Sequence, residues 1–336
     1  MSWGWQRTQP WWLGCNYVPS TAVNTTEFWQ ADTFDLPTIR RELGWAAEAG
    51  FNACRVFIQE LVRESDPDGF AARFDRFLAA ADDCGIGVMP VLFDDCAFAK
   101  QAPFLGRQAD PVPGRVMSSW TASPGHARVT DRAAWPALER YVVALLQAFG
   151  RDRRIVMWDL YNEPGNEGLG EQSLPLVLAA FAWARQAGPE QPLTVGVWNT
   201  SDAFATLNAA QLQRSDVVSF HLYGSLRDTE ALMDRLQAEG RPLLCTEWMA
   251  RPLGSRIATH LPVFRQRGVG CFVWGLVNGR TQTHIPWDSI KERVGTAEWF
   301  HDLFHADGQP YRPQEIALLQ QLSPRASAPG TGPSFV

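Results

Sequence analysis

Two glutamates in this chain of 336 residues each close an apolar, strand-like run. In Val156-Met157-Trp158-Asp159-Leu160-Tyr161-Asn162-Glu163-Pro164 the run stops at an Asn-Glu pair, and Pro164 lacks the N–H that a continuing strand requires. Leu243-Leu244-Cys245-Thr246-Glu247-Trp248 repeats the arrangement further along the chain. A carboxyl group at the carboxyl end of a buried strand sits where α/β folds keep their chemistry. Two of them suit glycoside cleavage: one protonates the leaving oxygen, and the other attacks the anomeric carbon or activates water.

The elements that must position these groups follow one alternation, repeated eight times. Strand-like runs lie at 12–17, 53–58, 87–93, 155–161, 193–198, 217–222, 243–246 and 270–276. Amphipathic helical patterns fill 36–49, 69–84, 134–149, 172–187, 201–213, 228–239, 257–267 and 296–304. Apolar strands alternating with helices are the pattern of parallel βαβ units. Gly50, Gly85, Gly188, Gly240 and Gly268 stand where helices would end in a left-handed cap. Eight units predict a single (β/α)8 TIM barrel of α/β class over residues 1–322, with long strand-end loops and a disordered tail at 323–336. An open doubly wound sheet is the alternative, but Cys15-Asn16-Tyr17-Val18-Pro19 is no glycine-rich phosphate turn. The extra length falls in 94–132, which carries Trp120, and in 278–289, which carries Gln282, His284 and Trp287. Loops that long are expected to wall an active site.

In order, the expected strand ends carry Asn16-Tyr17, Arg55, Asp94-Asp95, Asn162-Glu163, Trp198-Asn199, His221-Leu222-Tyr223, Glu247-Trp248 and Trp274. This series resembles the clan A glycoside hydrolases, and among them the family 5 cellulases, mannanases and β-mannosidase-like enzymes. The resemblance runs from Trp12 to about Leu322 and implies Glu163 as acid/base and Glu247 as nucleophile of a retaining reaction. Arg55, the His221-x-Tyr223 pair and Trp274 match further motifs of that clan. The chain departs from family 5 at the third strand, where Phe93-Asp94-Asp95 replaces a frequent histidine.

Physical roles follow for each. Arg55 should lower the pKa of Glu247 by Coulomb attraction, and Tyr223 should donate to the anion. Burial and the charge of Glu247 should raise Glu163, and that rise should fall away once Glu247 becomes a glycosyl ester. His221 is expected to orient Glu163, and Asn162 to bond the sugar 2-hydroxyl. Asn16, Asp94, Asp95, Trp120, Trp198, Trp248, Trp274, Gln282 and His284 complete the expected substrate contacts, with loop capping the alternative for Asp94 and Asp95.

Composition bounds the rest. A net charge of −6 gives no basic footprint for nucleic acid or anionic membrane. Fifteen tryptophans supply flat apolar faces on which sugar rings stack. Cys15, Cys54, Cys84, Cys96, Cys245 and Cys271 have no paired spacing, which predicts free thiols in a reducing compartment. Without a basic, apolar leader at Met1 to Trp12, the expected location is the cytoplasm. His301 and His305 lack the glutamate of a zinc-protease helix, so neither metal nor other cofactor is expected. The expected activity is a retaining β-glycosidase trimming β-linked, plant-type oligosaccharides, more readily from the end than mid-chain. An endo-acting glucanase, mannanase or xylanase is the alternative in class. A metal-dependent barrel isomerase and a non-catalytic sugar-binding protein are the alternatives beyond it.

Overall fold

Side-chain alternation along one strand shows how the chain divides its interior. Along β2 (Ala53–Phe57), Ala53 packs with Trp12, Met89, Met157, Val217, Leu244 and Phe272 in a plug inside the barrel. Cys54 and Val56 point the other way, into the apolar layer shared with the helices. Arg55 and Phe57 return to the face of Ala53, as the two-residue period of a strand requires. The same alternation, broken locally on two strands described below, divides the interior of the computed structural model, which describes residues 9–327.

The other strands are β1 (Leu13–Asn16), β3 (Gly87–Asp94), β4 (Trp158–Asn162), β5 (Leu193–Thr194), β6 (Val218–His221), β7 (Leu243–Trp248) and β8 (Gly270–Val273). They pair in parallel in the order β5-β4-β3-β2-β1-β8-β7-β6. A parallel bridge from Val197 to Phe220 joins the two ends of that order, so the sheet closes. The closure rules out the open doubly wound sheet. Among the described residues, eight helices of ten or more residues cover the outside: α1 (Leu36–Glu48), α2 (Pro67–Asp83), α3 (Trp135–Phe149), α4 (Leu174–Ala187), α5 (Ala205–Arg214), α6 (Leu226–Gln237), α7 (Ile257–Arg267) and α8 (Pro313–Leu322). The five glycines expected to cap helices all have positive φ, from 63 to 100°.

Three expectations are corrected. The run 193–198 forms only the two residues of β5 and the bridge at Val197. Residues 296–304 are not helical: Phe304 bridges to Val277 and to Pro310, which holds that segment extended beside the exit of β8, and α8 lies later. His301 and His305 therefore share no helical face. The chain also stays ordered past 323, where Ser323 Oγ donates to Gly50 O at 2.7 Å and a 3-10 turn spans Pro324–Ser327. The rest of the expected tail lies outside the described residues. All six cysteines are free thiols. Among the described residues no helix is long and apolar enough to cross a membrane.

Two irregularities in the strands matter for the chemistry. On β4, Leu160 and Tyr161 both join the helix-facing layer, which turns Asp159 and Asn162, three residues apart, toward Arg55 in the lumen. On β7 the pairing register shifts between Cys245 and Trp248. A bulge of this kind re-aims side chains. It turns Glu247 inward and places Trp248 against His260 and Phe264 in the outer layer.

Candidate active site

Arg55 is wholly buried, and all five of its N–H donors are used. Nε and Nη2 donate to Asp159 Oδ2 at 3.0 and 2.8 Å, Nη1 to Asn16 Oδ1 at 2.8 Å and Glu247 Oε1 at 2.7 Å, and Nη2 to Asn162 Oδ1 at 2.7 Å. Tyr223 donates its hydroxyl to Glu247 Oε2 at 2.8 Å, so both oxygens of Glu247 meet donors. Opposite stands Glu163. Its Oε1 lies 2.9 Å from His221 Nδ1, and its Oε2 accepts from Asn166 Nδ2 at 2.6 Å. One oxygen of each glutamate and a ring nitrogen of His221 all lie within 4.8 Å of one another. Both glutamates line a pocket of about 390 Å³ whose walls include Phe57, Trp120, Trp198, Trp274 and Trp287.

The loop after β4 is what aims Glu163. Its backbone adopts φ 42°, a left-handed conformation that a residue with a side chain tolerates only when its surroundings enforce it. Asp95 does part of the enforcing, accepting from Gly165 N at 2.7 Å, Ser173 Oγ at 2.5 Å and Tyr161 Oη at 2.6 Å. Trp198 Nε1 donates to Pro164 O at 3.0 Å from the next strand end. Gly165, at φ 87°, has no space for a Cβ, which would lie 2.7 Å from Gly170 O.

Asp94, Trp120, Asn162, Trp198 and Trp274 join Glu163, His221, Tyr223 and Glu247 around the pocket. Five expected substrate contacts do not. Trp248 is buried among helices, as the β7 bulge dictates. Asp95 is spent on the β4 loop. Asn16 lies beneath the pocket, with Nδ2 on Thr246 O and Val273 O and Oδ1 on Arg55. His284 packs on Trp299. Gln282 ties two loops together: it accepts from Gly114 N at 2.9 Å and donates to Val112 O at 2.7 Å and Arg115 O at 3.0 Å.

That tie belongs to a strap. Met117 N donates to Thr281 O at 2.7 Å, Arg115 pairs with Asp288 at 2.8 Å, Arg280 pairs with Asp110 at 3.1 Å, and Lys291 meets Gly114 O. The loop after β3 therefore crosses the mouths of β2 and β1 to reach the loop after β8. On the opposite rim, a second cavity of about 380 Å³ shares Trp198, His221 and Leu222 with the first and runs out to Arg235.

Sequence reading missed Asp159, Cys96, Asn166 and Phe57 as parts of the site. Asp159 had a usable signal, since a lone carboxylate inside an apolar strand needs a buried cation. Trp287 was visible in its loop, but nothing in the sequence set it apart from Gln282 and His284.

The sequence pattern of the cellulase family, glycosyl hydrolase family 5, matches residues 16–279. The chain belongs to that family. Solved structures agree in fold. A GH5_18 variant from Streptomyces cattleya in complex with Manb1-4GlcNAc is 14% identical, covers 96% of this chain with 82% of its own, and superposes with a TM-score of 0.62. An exo-beta-1,4-mannosidase from Opitutaceae bacterium strain TAV5 is 19% identical (95% of this chain, 61% of that one, TM-score 0.63). An endo-beta-1,4-mannanase from Thermotoga petrophila is 14% identical (95% and 77%, TM-score 0.61). The comparison with curated proteins found no match.

In this family 5 glycosidase the electrostatics of the two glutamates are set first by burial. Burial raises the pKa of Glu163, against the opposing pull of the Cys96 thiol, Arg55 and Asn166. Burial raises Glu247 as well, and outweighs the charge of Arg55 that was expected to lower it. Donors still distinguish them, because Arg55 and Tyr223 both address Glu247 and favour its anion. Burial pushes His221 down to about 4, so its contacts with the glutamates at neutral pH are hydrogen bonds of a neutral ring. Asp94 is pushed up to about 7, again by burial, although Asn162, Cys96 N and Trp120 donate to it. Glu163, His221 and Glu247 have the atom types of a metal site. The guanidinium 2.7 Å from Glu247 Oε1 already neutralises that carboxylate and repels a cation.

Proposed function

We propose that the protein is a retaining, exo-acting β-glycosidase that removes terminal sugars from β-linked oligosaccharides, with Glu247 as nucleophile and Glu163 as acid/base. The observation that carries the reading is the approach of the two glutamates within 4.8 Å through their oxygens. Retaining enzymes hold their carboxyls about 5–5.5 Å apart, whereas inverting ones leave ~6.5–9.5 Å for a water between them.

Glu247 attacks the anomeric carbon while Glu163 gives its proton to the departing oxygen. The charge of Glu247 is then lost in the glycosyl ester, one source of the raised Glu163 pKa disappears, and Glu163 takes a proton from the attacking water. Asn162 spends Oδ1 on Arg55 and one N–H on Asp94 Oδ1 at 2.8 Å. Its other N–H meets only the Cys96 sulfur at 3.5 Å, a weak acceptor that a sugar 2-hydroxyl can replace. Trp274 offers its face to the sugar being cleaved.

Exo action is favoured by the strap, whose ties between the loops after β3 and β8 roof the β1–β2 side. The leaving group then runs over Trp198 into the second cavity, on the side where Glu163 delivers its proton. The Manb1-4GlcNAc bound to the Streptomyces protein makes β-mannosides the first substrates to try. The test is a panel of aryl β-glycosides and short β-oligosaccharides, with the first product anomer followed by NMR. Release of terminal monosaccharide with the β configuration retained is expected. An α first product, or fragments from mid-chain cleavage, overturns the corresponding part of the reading.

A further inference from the structure

Glu163 is held asymmetrically. Its Oε2 receives Asn166 Nδ2 at 2.6 Å and the Cys96 thiol at 3.4 Å, whereas Oε1 meets His221 Nδ1 at 2.9 Å. The orientation of the Asn166 amide is fixed independently, because its Oδ1 accepts from Glu167 N at 2.7 Å. Two amides also converge on the sulfur: Nδ2 of Asn166 at 3.3 Å and Nδ2 of Asn162 at 3.5 Å. With N–H groups filling the acceptor side of the sulfur, its S–H is left to point at Oε2, and the chain of donors is mutually polarising. An oxygen facing two fixed donors cannot also carry a hydrogen, which would meet theirs. Oε1 faces a neutral imidazole nitrogen, which accepts as readily as it donates.

We propose that Asn166 and Cys96 are positioning residues that reserve Oε2 of Glu163 as an acceptor and confine the catalytic proton to Oε1, beside His221. The proposal rests on the reading of Glu163 as acid/base. In the resting site the Oε1–H donates to Nδ1 of a His221 that carries its own proton on Nε2. When substrate binds, that O–H turns to the glycosidic oxygen. The O–H bond breaks as the C–O bond breaks, both C–O electrons stay with the leaving oxygen, and Glu247 bonds to the anomeric carbon. In the second step water oxygen bonds to the anomeric carbon as the ester bond to Glu247 breaks, and the electron pair returns to the Glu247 carboxylate. The water's proton passes to Oε1, and Oε2 keeps its donors throughout. The other charged or titratable groups facing Glu163 are Glu247 from β7, Tyr223 after β6, Arg55 from β2 and Asp94 from β3.

Asn166→Ala, Cys96→Ala and Cys96→Ser test this through pH profiles. Both alanine variants remove a donor from the anion, so the Glu163 carboxyl holds its proton to higher pH. On an alkyl β-glycoside, whose leaving group needs protonation, the basic limb of kcat/KM should move up in Asn166→Ala. It should move less far in Cys96→Ala and return toward wild type in Cys96→Ser. On a dinitrophenyl glycoside, where water attack limits turnover, the acidic limb of kcat should move up in the same variants. A merely structural role would lower rates without moving either limb. Folded Asn166→Ala with both limbs unmoved overturns the proposal; if that variant does not fold, the two Cys96 variants decide it. Glu163→Ala is the control. Wild-type turnover of the alkyl glycoside by that variant overturns the acid/base reading itself, whereas an inactive Glu163→Ala beside unmoved profiles overturns the clamp alone.

Discussion

Arg55 and Asp159 are joined through Nε and Nη2 at 3.0 and 2.8 Å, with both side chains wholly shut off from solvent. Burial opposes the charge of Arg55, but Asp159 and then Glu247 outweigh it and keep the guanidinium protonated. Asp159 thus leaves Arg55 free to offer Nη1 to Glu247. Removing one partner of such a pair strands a buried charge, at a cost of about 3–5 kcal/mol. Asp159→Ala should therefore lower the melting temperature by roughly 10 °C and reduce kcat/KM together. Wild-type thermal stability in the variant would show that the pair contributes little.

Glu247→Ala should abolish turnover, and azide or formate should restore it by occupying the vacated face of the sugar. With azide the expected product is the α-glycosyl adduct, identified by NMR; near wild-type activity without any added anion removes Glu247 from its role. Glu163→Ala should lose much less activity on aryl glycosides with good leaving groups than on natural sugars, because a good leaving group needs little protonation.

The proposed mechanism requires Glu247 ionised and Glu163 protonated, so kcat/KM should fall below the pKa of the first and above that of the second. Burial raises both from the ordinary glutamate value of 4.5. Both limbs of the bell are therefore expected above that value, and its maximum should be displaced toward neutral pH. A maximum at or below pH ~4.5, the ordinary glutamate range, would show that burial does not dominate.

Trp274 is only 8% exposed and meets Phe57 and Trp120 edge-on, with ring centroids 5.6 and 6.5 Å away. In the proposed role its face stacks on a pyranose, a contact of about 1–3 kcal/mol. Trp274→Ala should lower kcat/KM by about 10- to 100-fold. Its near-complete burial adds a loss of stability of roughly 3–5 kcal/mol, read from thermal melts. Unchanged kinetics in the folded fraction would take Trp274 out of the sugar site.

Gln282→Ala removes three hydrogen bonds of the strap without touching the pocket wall. Combined with Arg115→Ala, which breaks the pair with Asp288, it should loosen the roof over β1 and β2. Chromatography of oligosaccharide digests should then show internal cleavage products absent from the wild type. Strictly terminal release in the double variant would mean that the strap does not set the mode of action.

The eightfold alternation, the strand ends and the place of both glutamates at them are all local properties, written in apolar periodicity and in the proline that stops β4. They were therefore legible in the sequence. The partners were not. Arg55 meets Glu247 across 192 residues and Asp159 across 104, contacts created only when the sheet closes. Trp248, beside Glu247 in the chain, faces the helices because the β7 register shift separates two neighbours that sequence alone treats alike. Asp94 and Asp95 diverge without any shift, because consecutive residues at a strand end point to opposite sides: one lines the pocket and the other braces the loop that aims Glu163. The sequence by itself determined which chemistry is available and on which strands it stands. Only the tertiary structure decided which side chains face the sugar, because a one-residue change of register sends a side chain to the other face of a strand.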